Sequence, residues 1–328
     1  MADYVISVDL GGTRIRVALI NEQLQLIERK ETLTLAYEGL EPTIGRIKAL
    51  IREVFPEDRS LVSRIGISAP SAVNTEKGTV VAPPNLPGWH HVPLAKMIED
   101  EFQLPTYLGN DANVAALAEA ALGAAQGYDH SIYLTISTGI GSGMIVDGIL
   151  LTGATGLAAE AGHVILLTEN GKVSSLELEA AGPALARQAR AAMEAGEESI
   201  MQVLCGGDLS AVDARTVGSA ALRGDALAVR IIKRAGYIVG LGITSLLHIF
   251  NPQVVVIGGG VTNVGDILLD AIWETVREHA LDQAYWEDLI IVRSTISEDV
   301  SLLGAAALAF TAGGMESITE FVSHLGES

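Results

Sequence analysis

Between Glu160 and Gly182 the chain reads EAGHVILLTENGKVSSLELEAAG, one histidine among four acids in an otherwise apolar stretch. Glu160, His163 and Glu177 are of types that ligate divalent metals, grip vicinal hydroxyls or simply face solvent. No cysteine lies near, and the spacing matches no His-x3-His zinc template. A second candidate is Asn110-Asp111, where the strand-like TYLGND meets a helical run. Both residues are common N-caps. The functional alternative makes Asp111 a base that accepts a hydroxyl proton. A helix N-terminus lowers a carboxylate pKa, which would leave Asp111 a weak base. Phosphoryl transfer tolerates that, because its loose transition state depends mostly on positioning.

Three glycine loops are of a kind that serves such a reaction: Asp9 to Thr13 with Gly11 and Gly12, Thr138 to Gly143 with Gly139, and Gly258 to Gly260 with Gly259. Glycine lets backbone N–H groups approach a phosphate closely. Each loop alone is better explained by a tight turn than by a phosphate site. Two threonine-bearing turns plus a third loop opening a helix favour a nucleotide. Neither GxxxxGK[ST] nor a complete G-x-G-x-x-G occurs. Asp9 is placed either to hold Mg²⁺ through water or to cap a turn.

The elements that carry these residues alternate between strand and helix, which indicates an α/β architecture. Tyr4 to Ile20 reads as a glycine-turned hairpin, Arg64 to Pro70 as a strand, and Ser71 to Pro93 as an extended, proline-rich loop. Leu94 to Phe102 and Ala112 to Ala125 read as helices. The hairpin plan returns at His130 to Leu150, which suggests two related halves. Helical text follows at Ala180 to Glu194 and Asp225 to Phe250. A strand, the third glycine loop and a helix come next, then a strand near Leu289 to Val292 and a helix at Leu303 to Ala312.

Composition narrows the class. A chain of 328 residues exceeds one ordinary core and suggests two domains. Hydrophobic residues at 49% allow both to be well buried. A net charge of −19 repels phosphate backbones and anionic lipid, so no nucleic-acid or membrane partner is expected. The single cysteine, Cys205, excludes an intrachain disulfide and fits a reducing compartment. The N-terminus lacks a basic n-region, and no apolar run nears a membrane span, so a cytoplasmic protein is expected.

Taken in order, the motifs resemble those of the ROK family of repressors and sugar kinases, a branch of the actin-like ATPase and hexokinase fold, which is ribonuclease H-like. The resemblance covers nearly the whole chain. VDLGGTRIRVAL is similar to the first phosphate loop and PNLPGW, with Asn85, to the sugar-side loop. GNDANVAALAE resembles the catalytic-aspartate segment, STGIGSGMIVDG the second phosphate loop, GATGLAAEAGH the acid-x-Gly-His signature, and VVVIGGGV the adenosine-side loop. The family departs here at Gly109, Ser137 and Ala159, often Glu, Gly and Gly. ENGKVSS replaces the cysteine cluster of zinc-bearing members, so no zinc site is expected.

The resemblance implies an ATP- and Mg²⁺-dependent hexose kinase, glucose being the expected substrate. Mannose, N-acetylmannosamine or fructose, polyphosphate as donor, and a non-catalytic sugar-sensing regulator are the alternatives. A repressor would carry a helix-turn-helix ahead of the first phosphate loop, whereas the first strand here begins at Tyr4. By the same resemblance Asp111 is the base and Asn85, Asn110, Glu160, His163 and Glu177 bind the sugar. Asp9, Gly11, Gly12, Thr13, Thr138, Gly139, Gly258 and Gly259 serve the nucleotide, with Asp9 on Mg²⁺ through water. A homodimer or homotetramer is implied, with a small domain over 1–110 completed by a helix at 303–328 and a large domain over 111–302. Without zinc, the loop Thr168 to Ser175 is expected to be held by packing of Val164 to Leu167 and by the following helix.

Overall fold

A computed structural model describes residues 3–70, 72–167, 170–296 and 299–325. The first hairpin forms from Tyr4–Leu10 and Arg14–Asn21. It anchors a five-stranded sheet in the order Leu26–Leu33, Arg14–Asn21, Tyr4–Leu10, Val62–Ala69, Thr106–Asn110. Pairing within the first three is antiparallel; the last two strands join in parallel. Val5, Ile6, Ser7 and Val8 are consecutive and all buried, so both faces of the central strand are covered. One cover is the helix Leu40–Val54, which buries Ile44, Ile47, Leu50, Ile51 and Val54 at helical spacing. Another is the helix Val300–Phe310, packed on the strands Tyr4–Leu10 and Val62–Ala69. Arg64 ties it down by donating from Nη1 to the Ala309 and Phe310 carbonyls at 3.2 and 2.9 Å.

The second sheet has the order Ile149–Leu150, Ile140–Val146, Ser131–Ile136, Val254–Gly258, Ile290–Arg293. The plan matches the first sheet: a hairpin at the centre, a third strand outside it, and two later strands on the other side. The halves suggested by the repeated hairpin thus share a topology, although their letters differ. Helices Gly182–Glu194, Ala214–Leu222, Ala226–Phe250 and Asp266–His279 complete this half. Among the described residues no helix is long and apolar enough to cross a membrane.

The chain divides into two compact units. The first holds Met1–Ser131, Gly143–Ala159 and Ser294–Ser328; the second holds Ile132–Ser142 and Glu160–Arg293. This departs from a division after residue 110. The helix Asp111–Leu122 falls in the first unit because it packs along the helix Val300–Phe310. Buried Glu119 also accepts from Ala124 N at 2.8 Å and from the Ser294 hydroxyl, where the chain re-enters that unit.

The stretch expected to be a loop held by packing is partly a ladder. Ile165–Leu167 pairs antiparallel with Val173–Ser175, and Ile165, Leu167 and Val173 are all exposed. Backbone pairing, rather than burial of Val164 to Leu167, joins these strands. Thr168 and Glu169 of that stretch, and Ser71 at the head of the proline-rich loop, lie outside the described residues.

Candidate active site

In the first unit, the sheet brings together residues far apart in sequence. Asp9 lies near the end of its strand, opposite Arg16 in the antiparallel register, and the pair forms an ion pair at 2.6 Å. Asp9 is therefore not the cap of a turn. Burial pushes its carboxyl above the usual range, opposed by the Arg16 guanidinium. Beyond it the chain reverses: Gly11 N donates to the Arg14 carbonyl at 2.9 Å and the Thr34 hydroxyl to the Gly11 carbonyl at 2.6 Å. The amides of Gly12 and Thr13 have no partner among the described residues. A side chain at Gly12 would meet the Asn85 Cβ at 2.8 Å, so the PNLPGW segment rests directly on the loop. Its Leu86 and Trp89, just after Asn85, are 1% exposed and anchor the segment.

Asn110 and Asp111 divide the two readings the sequence left open. Asn110 is the N-cap: its side chain accepts from Asn113 N at 2.7 Å. Asp111 opens the helix, its carboxylate accepting from the adjacent Ala112 N at 2.9 Å, and the residue is exposed. Desolvation by surrounding protein nevertheless pushes its pKa up, the negative charge of Asp9 adds to the rise, and the Ala112 N–H opposes it. The expected depression at a helix N-terminus is thus overturned, because partial desolvation outweighs the helix end. One turn on, Asn113 is fully buried with neither side-chain polar atom bonded. Sequence reasoning passed over it as an interior residue of an alanine-rich helix.

In the second unit, the turn Ser137 to Ile140 has Ser137 N donating to the Gly139 carbonyl at 2.8 Å. The amides of Thr138 and Gly139 are unpartnered among the described residues. Glu177 sits against this turn: its Oε2 accepts from Ile140 N at 2.9 Å and lies where a Gly139 side chain would begin. The carboxylate expected at a sugar thus has one oxygen on the second glycine turn. Glu160 and His163 flank the short turn Ala161–His163, which is fastened by Ala161 N donating to the Ser142 hydroxyl at 3.0 Å. His163 is exposed and Glu160 half-buried. Ala159, just ahead, takes φ 63°, a left-handed conformation that costs an alanine of the order of 1 kcal/mol. Among the described residues no three His, Cys, Asp or Glu side chains group as a metal site.

A cavity of about 900 Å³ opens beside the second turn. Thr138, Gly182, Arg190, Val212, Gly218 and Gly260 are among its lining residues. Gly258 and Gly259 lie just ahead of Gly260, at the end of the strand Val254–Gly258. The sequence pointed to Thr138 and the glycines, not to Arg190 or Val212, because a lone arginine and valine carry no motif.

Comparison with known proteins bears on this arrangement. A curated glucokinase of Thermotoga maritima is 35% identical over 309 residues, 93% of this chain and 96% of that protein. A ROK family glucokinase of Streptomyces griseus, solved with glucose and AMPPNP, superposes with a TM-score of 0.75 at 30% identity, covering 94% of this chain and 99% of that one. A ROK hexokinase of Thermus thermophilus does so with a TM-score of 0.79 at 33% identity, covering 94% and 98%. The fold is that of the actin-like ATPases and hexokinases, an α/β architecture built on two five-stranded sheets. Residues 5–312 match the ROK family model, and the chain belongs to the ROK family.

Proposed function

We propose that this chain is an ATP-dependent sugar kinase that phosphorylates glucose at its primary hydroxyl. The observation that carries the reading is Asp111: an accessible carboxylate with a raised pKa, electrostatically coupled to Asp9, in the same unit as the free Gly12 and Thr13 amides. A raised pKa brings an aspartate closer to the range where a base works well. The sugar hydroxyl donates its proton to Asp111 as its oxygen attacks the γ-phosphorus, and ADP leaves. Asn110, held by its own capping bond, and Asn85, seated on Gly12, orient neighbouring hydroxyls. Glu160, His163 and the free oxygen of Glu177 take the remaining hydroxyls.

The unpartnered amides of Gly12, Thr13, Thr138 and Gly139 are donors for phosphate oxygens. The cavity beside Thr138, which Gly260 lines with Gly258 and Gly259 just ahead of it in the chain, suits a nucleoside better than a bare polyphosphate. Asp9, one carboxylate beside another and already shared with Arg16, fits a hard cation held through water. Bound Mg²⁺ supplies neutralisation of the phosphate charge.

A coupled assay across glucose, mannose, N-acetylmannosamine and fructose, with ATP and with polyphosphate, tests this. Glucose with ATP is expected to give the highest kcat/KM. No turnover with any sugar defeats the kinase reading, and a better epimer defeats glucose. A curated N-acetylmannosamine kinase of Citrobacter koseri, 29% identical over 309 residues, makes that sugar the sharpest competitor. The reading carries no structural zinc. Elemental analysis should find well under one zinc per chain, and a stoichiometric amount would make His163 a ligand.

A further inference from the structure

We propose that the guanidinium of Arg190 is the platform on which the purine base of the nucleotide lies, so that Arg190 sets donor specificity. The proposal rests on the reading of the second-unit cavity as the nucleotide site. Gly182, Ala186 and Arg190 lie four residues apart on one face of the helix Gly182–Glu194, and all three line the cavity. Gly182 is packed against the Ser137 carbonyl and Ala214, and Ala186 is the only side chain between it and the arginine along this row of the helix.

The phosphate end is fixed by Gly182, whose N–H donates to the Ser137 carbonyl at 2.8 Å in the turn that offers the Thr138 and Gly139 amides. Eight residues of helix at about 1.5 Å each set Arg190 roughly 12 Å from that end. This is close to the reach from the terminal phosphate of a nucleoside diphosphate to its base. The backbone at Arg190 therefore stands nearer a base than the phosphates, and its guanidinium reaches Val212, which also lines the cavity.

Its electrostatic state points the same way. In a chain of net charge −19, Arg190 pairs with no carboxylate among the described residues. One N–H donates to the Val212 carbonyl at 2.9 Å, which orients the guanidinium and leaves the rest of the fork without a partner among the described residues. The other cavity arginine, Arg215, is exposed, and its charge is met by Asp213. Two of the other polar residues lining the cavity are already used: Asp213 accepts from Thr216 N and Oγ1, and Ser210 donates to Asp208. A planar cation with a fixed orientation and no counter-ion suits the face of an aromatic base. Stacking favours the larger purine face over a pyrimidine.

Equilibrium binding of ADP, UDP and inorganic tripolyphosphate to the full chain and to Arg190→Lys and Arg190→Ala tests this. The wild type is expected to bind ADP more tightly than UDP. Arg190→Lys keeps the charge and a donor for Val212 but loses the planar face. It should weaken ADP about tenfold, narrow the ADP-to-UDP ratio, and leave tripolyphosphate within about twofold. Arg190→Ala should do the same to ADP, and if it does not fold, the lysine variant decides alone. Equal losses for all three ligands, or an unchanged ADP affinity, would overturn the proposal. A wild type that binds tripolyphosphate but not ADP would overturn the nucleotide reading of the cavity itself, and the proposal with it.

Discussion

The two glycine-turned hairpins share a chain plan and differ in what crowds the turn. At the first, the neighbour pressed on Gly12 is carbon, the Asn85 Cβ. At the second, the neighbour on Gly139 is the carboxylate of Glu177, which also accepts from Ile140 N. One glycine therefore makes room for a packed segment and the other for a charge. The acids differ as well: Asp9 is compensated by a guanidinium, Glu177 by a backbone N–H. A repeated backbone plan does not repeat the chemistry of its loops; the side chain that leans on each turn sets it.

The largest effect should come from the first unit. Asp111→Ala is expected to lower kcat by about 10²–10⁴-fold with much smaller change in sugar affinity, read by steady-state kinetics and direct glucose binding. Near wild-type turnover would remove Asp111 from the mechanism. The base form of Asp111 is the active one and its pKa is raised, so kcat should fall with acid above the pH where an ordinary aspartate titrates. The sign for stability is opposite: the folded carboxyl binds its proton more readily than the unfolded one, so this group destabilises at neutral pH. That deficit is relieved as pH falls through the raised pKa. A kcat profile flat down to the ordinary aspartate range would contradict the shift.

Next in size is the contrast between the two turns. Gly12→Val should raise the KM for ATP at least about tenfold by setting a branched side chain against the phosphates and Asn85, and should raise the KM for glucose through that same contact. An unchanged KM for ATP would break the loop assignment. Glu177→Gln keeps an acceptor for Ile140 N but removes the charge; it should cost a few-fold in sugar KM while hydrogen exchange at the Ile140 amide stays slow. Faster exchange would mean that the charge, not the acceptor, holds the turn. The smallest effect is expected at Ala159→Gly, where relief of left-handed strain and added unfolded-state entropy nearly cancel. A melting shift within about 4 °C is predicted, and a larger one would show that the strain is not local.

Much of this was legible where signals are local. Both hairpins, the helix Leu94–Phe102 and the order of the glycine loops follow from alternation and punctuation in short windows. The helix Leu40–Val54 went unread although its buried residues recur at helical spacing, because Pro42 and Gly45 interrupt it and Gly39 gives no capping side chain. The helix Ala214–Leu222 also went unread, although Asp213 caps it through Thr216. The unit boundary was illegible for a different cause: it depends on segments more than a hundred residues apart meeting at Glu119 and Ser294. In the active site, residue types marked Asp9, Asn110 and Asp111. Sequence could not show that desolvation would outweigh the helix end at Asp111, or that Glu177 would lean on Gly139.

The first unit is finished by the last stretch of the chain, since the helix Val300–Phe310 covers strands that begin at Tyr4. During synthesis, at about 5–20 residues per second, the sheet laid down by Ser131 would wait roughly 10–35 s for that helix to emerge. Throughout that interval its apolar face and the helix Asp111–Leu122 lack their partner, while the second unit is translated whole. The nascent chain is thus most exposed to aggregation or chaperone capture on the first unit, and truncation shortly before Val300 should be more damaging than the number of residues removed suggests.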